Sequence, residues 1–266
     1  MSQSQVADEQ DVQYERQGDL AIIRINRPHV GNSVGPSTMM RLCQALDRAM
    51  GDDSRAIVLT HTGRHFISGA DFAFLEDIAN GQSTLDVHKD IYEYFLGASK
   101  RLHLCPKPTI AAISGAAITV GCELAIACDF RIVTPSARFQ ESWIRLGLIA
   151  PLGGLKVLPG LVGMGLAKDM MLRARAVGGE EALLVGLAHE CVGEDQLLSS
   201  ALKLAQELAS TPIFAYRAAK EGLRRGQEVG LGEVWDHGVL AQSVLLGSPD
   251  FQLRLREASA ALKSKR

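Results

Sequence analysis

"ISGAAITVGCELAIACDF", Ile113–Phe130, joins the end of one apolar segment to the start of another through a glycine-containing turn. Its start completes an apolar run, "KPTIAAISG" (Lys107–Gly115), that reads as a buried strand. Its second half, "CELAIACDF", reads as helix, and "FRIVTPSARFQ" (Phe130–Gln140) returns as strand. Strand, glycine-containing turn, helix and strand in that order describe an α/β unit with parallel pairing. One carboxylate, Glu123, stands inside the apolar helix. A buried carboxylate without a partner costs several kcal/mol or takes up a proton, so Glu123 is the first candidate functional group.

The same alternation extends outward. "LAIIRINRP" (Leu20–Pro28) is β-branched and alternating, a strand that ends at Pro28. "STMMRLCQALDRAM" (Ser37–Met50) has helical spacing, with Ser37 the expected N-cap. "RAIVLTHTG" (Arg55–Gly63) is a buried strand, and "SGADFAFLEDI" (Ser68–Ile78) is a glycine turn entering a short helix. Leu85 to about His103 reads as helix with Thr84 as its cap. Beyond Leu155 the segments are helix-like, and the last sixty or so residues hold no strand pattern. A boundary is expected near Asp195–Leu198, giving a core over 1–197 and a helical region over 198–266.

Composition excludes several classes. Of 266 residues, 47% are hydrophobic and 22% charged, ordinary for a globular chain. The net charge of −2 and pI near 6.4 leave no basic stripe for nucleic acid or an anionic membrane. Cys43, Cys105, Cys122, Cys128 and Cys191 are scattered, and neither they nor the seven His show metal spacing, so no metal is expected. The N-terminal "MSQSQVADEQD" has no apolar core of a signal peptide, and no apolar run approaches a membrane span. A reducing, cytoplasmic setting is the expectation.

Two glycine-containing strand-to-helix junctions carry the chemistry: "SGAD" (Ser68–Asp71) and "AITVGCE" (Ala117–Glu123). A helix N-terminus offers free backbone N–H groups and the positive end of its dipole. Two such ends brought together would hold one carbonyl oxygen and stabilise it as an oxyanion. The ordered set "NRPxxxN" (Asn26–Asn32), "IVLTxTG", "FxSGAD", "KPTIAAISGxA", "GCELAIACDFRI", "LGL…GG", "LPxLVG" and "EEALxxGLAHECV" resembles the crotonase family, the enoyl-CoA hydratase/isomerase superfamily. The resemblance runs from about Leu20 to Lys220.

That resemblance implies a crotonase-type ββα spiral core with a C-terminal helical oligomerisation region. It also implies an acyl-CoA thioester as ligand, with coenzyme A part of the substrate and no separate cofactor. Self-association would give a homotrimer or hexamer. The thioester carbonyl would sit between the N–H groups of Ala70 and Val120; the family usually has glycine where Val120 stands. Gly69 and Gly121 shape the two turns. Glu123 matches one of the two glutamates that hydratases use. The second normally lies four residues before the glycine of "LG", and counting back from Gly147 lands on Trp143.

Glu141 lies two residues before Trp143. It is either an exposed residue or, on a strand where i and i+2 share a face, a carboxyl that reaches the same region. Trp143 would form an apolar pocket wall and disfavour activation of water. The family's dehalogenating aspartate position holds Pro151, so no nucleophile is expected. By the same resemblance, adenine is expected near the Ser68 carbonyl and the Ala70–Phe72 turn, which includes Asp71 and Phe72. Arg27 is the candidate phosphate contact, since His29 follows Pro28 where a basic group is common, and the basic "LKSKR" (Leu262–Arg266) reads equally as a clamp or a solvated tail. Two classes stay open: a lyase or isomerase using Glu123 and the Ala70/Val120 hole, or a catalytically weak or non-catalytic acyl-CoA binder. Hydrolysis or decarboxylation would be a divergent third.

Overall fold

Successive turns of the chain repeat one unit: a strand for a large sheet, a strand or bridge for a small one, then a helix. The structure is a computed structural model that describes residues 11–81 and 83–264. In chain order the elements of the first part are β1 (Val12–Gln17), β2 (Leu20–Ile25), α1 (Pro36–Gly51), β3 (Ala56–His61), α2 (Phe72–Ala79), α3 (Thr84–Asp90), α4 (Leu96–His103), β4 (Thr109–Ile113) and β5 (Ala116–Ile118). They continue with α5 (Val120–Ala127), β6 (Phe130–Val133), β7 (Arg138–Gln140), α6 (Gly154–Leu172), β8 (Ala176–Gly178), α7 (Gly179–Leu184), β9 (Glu190–Cys191) and α8 (Leu197–Ala209).

The large sheet has the order β1-β2-β3-β4-β6-β9 and the small one β5-β7-β8. Only β1 runs antiparallel in the large sheet. β4–β5–α5 and β6–β7–α6 are two full turns of the spiral; β3, the bridge from Ile67 to Ala117, and α2 form a third. The central strands β2, β3 and β4 are mostly apolar and buried because they are covered on both faces. Ile23, Ile25, Ile57, Leu59, Ala111 and Ile113 enter one core cluster. Their alternating neighbours Leu20, Val58, Ile110 and Ala112 enter a second, closed by Leu197, Ala201, Ala205 and Ala209 of α8.

Helix α8 therefore packs on the sheet, although the boundary expected near 198 puts most of it in the C-terminal region. The chain divides instead between Ala209 and Ser210. A stripe of small residues at four-residue spacing lets α8 lie close to the strands. After it come α9 (Ile213–Arg225), α10 (Leu231–Leu246) and α11 (Pro249–Ser264), all helical, as the absence of strand patterning indicates. Lys265 and Arg266 of the basic C-terminal run, and the polar N-terminus up to Gln10, lie outside the described residues. No helix of the described residues is long and apolar enough to cross a membrane.

Two expected caps are corrected. Gly35, not Ser37, is the N-cap of α1, because Pro36 takes the first helical position, where a missing N–H costs nothing. Ser83, not Thr84, caps α3, its hydroxyl accepting from the Asp86 N–H. The helix expected from 85 to 103 is interrupted by a π-helical turn at Ile91–Phe95. Asp129, between α5 and β6, ties to β4 by accepting from the backbone N–H (3.0 Å) and hydroxyl (3.1 Å) of Thr109.

Candidate active site

The two glycine junctions meet. Ile67 donates to the Ala116 carbonyl, and Ile118 donates back to the Ile67 carbonyl, so the strand entering "SGAD" runs beside the strand entering "TVGCE". Two glycines make that approach possible. A Cβ on Gly121 would stand 2.5 Å from the Ile67 carbonyl oxygen, and one on Gly69 would stand 3.0 Å from Thr119 Oγ1. Gly69 also has φ +128°, a conformation closed to most side chains.

The turns leave two N–H groups aimed away from their own scaffolds. Val34 bridges Ala70 through the Gly69 carbonyl and the Asp71 N–H, so the intervening Ala70 N–H points to the opposite side. Val120 opens α5, where the first N–H groups have no intrahelical acceptor. Thr119, just before it, has φ +49° and ψ −106°, a strained backbone for a β-branched residue.

Glu123 sits one turn along α5 from Val120, on the same face. Helical side chains lean toward the helix N-terminus, which tips the Glu123 carboxyl back toward that N–H end. The residue is 1% exposed. Its Oε1 accepts from the backbone N–H of Leu152 (2.8 Å) and Gly154 (2.9 Å), and Oε2 has no partner. Burial raises its pKa, the two N–H bonds pull it back, and the result is about 7. The donors come from "PLGG", where Gly153 adopts φ +115° and a Cβ on Gly154 would meet Oε1 at 2.9 Å. Sequence reasoning missed these two donors; the glycine pair in the "LGL…GG" motif is their signal.

Glu141 is not exposed. It follows β7 directly, is 1% exposed, and neither carboxyl oxygen has a hydrogen-bond partner. Burial and the nearby Glu123 charge push its pKa well above the ordinary carboxylate range. Trp143 is buried as the first residue of a single helical turn, Trp143–Leu146. Its indole N–H lies beside both carboxyls and favours their charged forms, without reaching good hydrogen-bond geometry to either. Cys122 lies against Glu141 as well, and burial raises its thiol pKa strongly.

A cavity of about 590 Å³ opens beside Ala70, with Phe72, Phe74, Phe95, Trp143 and Leu152 among its walls. Neither Glu123 nor Glu141 lines it. Each carboxyl borders a smaller cavity that shares a wall residue with the large one: Glu123 a 210 Å³ cavity that shares Leu152, and Glu141 a 50 Å³ one that shares Trp143.

The candidate coenzyme contacts divide. Phe72 is 71% exposed at the cavity edge. Ser68 packs near Gly31, and Asp71 caps α2 through the Ala73 N–H (3.1 Å). The Arg27 guanidinium is engaged by Asp11 and Asp71, each at 3.2 Å, and by the Ser33 carbonyl at 2.7 Å. Asn32, with φ +59°, braces the same loop by accepting from Arg27 N–H and donating to the Thr62 and His65 carbonyls. Among the described residues no group of three or more His, Cys, Asp and Glu is placed to hold a metal.

Residues 15–239 match the enoyl-CoA hydratase/isomerase family. A short-chain-enoyl-CoA hydratase of Clostridium acetobutylicum is 32% identical over 218 residues, 80% of this chain and 81% of that one. A 2,3-dehydroadipyl-CoA hydratase of Escherichia coli is 33% identical over 217 residues, 81% and 82%. The crystal structure of an enoyl-CoA hydratase from Bacillus anthracis superposes with a TM-score of 0.86 at 29% identity, covering 97% of each chain. With the family matched over most of the chain and relatives above 30% identity, the chain belongs to the enoyl-CoA hydratase/isomerase family and is an enzyme of that family.

Proposed function

We propose that the chain binds an acyl-CoA thioester with its carbonyl oxygen between the Ala70 and Val120 N–H groups, and that Glu123 moves a proton at the carbon next to that carbonyl. The observation that carries this is the placement of Glu123. It is a buried carboxyl titrating near 7, leaning toward the free N–H end of its own helix. In the proposed step the Glu123 carboxylate takes the α-proton of a β,γ-enoyl thioester. The C–H electron pair becomes the enolate, whose oxygen the two N–H groups hold, each donor contributing about 3 kcal/mol in comparable sites. The protonated Glu123 then returns the proton at the γ-carbon, and the double bond ends conjugated with the carbonyl. Trp143 at the cavity wall excludes water, which favours isomerisation over hydration. Coenzyme A enters as part of the substrate, and no cofactor is needed for this step.

A second reading rests on Glu141. A neutral, unpartnered carboxyl beside an ionisable one is the pattern of an acid and a base with separated roles. Glu141 would then supply the acid for hydration. Double-bond migration in a 3-enoyl-CoA and water addition to a 2-enoyl-CoA, monitored side by side, separate the readings. Faster migration supports the first, and faster hydration the second. Absence of both, with thioester binding intact, leaves the acyl-CoA binder. Self-association through the helices after Ser210 and a cytoplasmic setting belong to the same proposal. The exposed Trp235, Val239, Leu240 and Val244 of α10 support the former, and sedimentation of the purified chain tests it.

A further inference from the structure

The 590 Å³ cavity is far larger than the reaction centre needs. At roughly the 30 Å³ that a water-sized group occupies, a four-carbon acyl group fills only about a fifth of it. Its walls are apolar almost throughout, with the stacked rings of Phe74 and Phe95 (centroids 5.6 Å apart) on one side and Trp143 on another. Ile78, Val87 and Ile91, from α2, α3 and the π-turn, add three further apolar side chains to the lining. The one charged residue in the lining is an acid, Glu76, and no Lys, Arg or His faces the space among the described residues.

We infer that the acyl group taken by this site is an uncharged apolar chain of about eight to twelve carbons, and that short acyl groups and acyl groups ending in a carboxylate are disfavoured. The inference rests on the thioester reading above and adds the substrate class to it. Length is rewarded because each methylene moved from water into this lining favours binding. A terminal carboxylate meets the opposite conditions: no cation, an apolar wall, and Glu76 repelling it.

The test measures dissociation constants of the full chain for butyryl-, octanoyl- and dodecanoyl-CoA by titration calorimetry. The mono-CoA thioester of the eight-carbon dicarboxylic acid is measured alongside. Affinity should rise about 3- to 4-fold per methylene from four to eight carbons, and the dicarboxylic thioester should bind at least roughly 10-fold more weakly than octanoyl-CoA. Val87→Trp, which takes volume from the cavity, should lower the ratio of dodecanoyl to butyryl affinity by about 10-fold or more. Measurable binding with no length dependence, or a dicarboxylic thioester binding as well as octanoyl-CoA, overturns the substrate class while leaving the thioester reading standing. No binding at any length overturns both.

Discussion

Gly154→Ala should move the acid limb of the activity profile without removing any acid or base. Gly154 has an ordinary negative φ, so alanine is tolerated by the backbone. An added Cβ would lie 2.9 Å from Glu123 Oε1, 3.3 Å from Cγ and 3.4 Å from Cδ, so the carboxyl must shift. The oxygen displaced is the one that accepts both N–H bonds, from Leu152 and Gly154. A hydrogen bond to a charged group is worth about 1.5–3 kcal/mol. Those bonds favour the ionised form of Glu123. Losing one shifts the pKa up by about 1–2 units, at about 1.4 kcal/mol per unit. A general base works in its ionised form, so wild-type kcat/KM should climb with pH and reach half its plateau near pH 7. In the variant that midpoint should lie about 1–2 units higher. Activity at pH 7 should fall roughly 5- to 50-fold, and the loss should shrink as pH rises. The assay is isomerisation of a 3-enoyl-CoA between pH 5.5 and 9.5. An unmoved midpoint, or an equal loss at every pH, would refute the role given to the two N–H bonds.

Three further outcomes are expected. Glu123→Gln keeps an oxygen for the Leu152 and Gly154 N–H groups but removes the titration, so it should abolish turnover. It should also flatten the pH dependence of stability. Glu123 is raised from 4.5 to about 7 in the fold, so its neutral form stabilises below pH 4.5 and about 3 kcal/mol is lost as pH rises through 7, read from urea midpoints between pH 4.5 and 8. Trp143→Glu should raise hydration of crotonyl-CoA by roughly 10- to 100-fold relative to wild type, since a positioned acid or base typically contributes 10²–10⁴-fold; unchanged hydration with intact folding would show that the position is not the missing carboxyl. Arg27→Gln should weaken binding of an acyl-CoA and of its pantetheine analogue equally, because Arg27 holds Asp71 and the turn before α2; a loss confined to the phosphate-bearing thioester would restore Arg27 as a phosphate contact.

The fold is legible in the sequence wherever burial leaves a pattern. The continuous apolar runs of β2, β3 and β4 are what a doubly covered parallel strand must look like, and Gly69 and Gly121 mark two close backbone approaches. Short elements are not legible. β5 and β8 have three residues each and β9 two, too few for any period to register. β1, "VQYERQ", is an edge strand with exposed polar positions and carries no apolar run. At the site, Glu123 stands out because its neighbours are apolar, whereas Glu141 is flanked by Gln140 and Ser142 and looks like surface. Its burial comes from packing against Cys122, Glu123 and Trp143, contacts that local composition does not encode.

The same cluster bears on whether the site is active or merely inherited. Thr119 holds a strained left-handed φ, and Glu141 keeps two carboxyl oxygens without partners. Glu123 Oε2 and the Trp143 indole N–H are also unpartnered, so these buried polar atoms gather on three neighbouring side chains. Each such atom costs on the order of 1–3 kcal/mol, and more for a charge. A protein that only bound acyl-CoA would need the Ala70 and Val120 N–H groups and the apolar cavity, but no buried carboxyl pair. Replacing Glu123 and Glu141 by apolar residues of similar volume would remove that cost and leave the binding parts in place. Local rules broken together at one place are the mark of a site shaped for chemistry. That supports the proposed proton transfer at the Glu123–Glu141 pair over simple binding, and under that proposal Trp143, which lines the cavity and neighbours both carboxyls, is the residue to select the reaction.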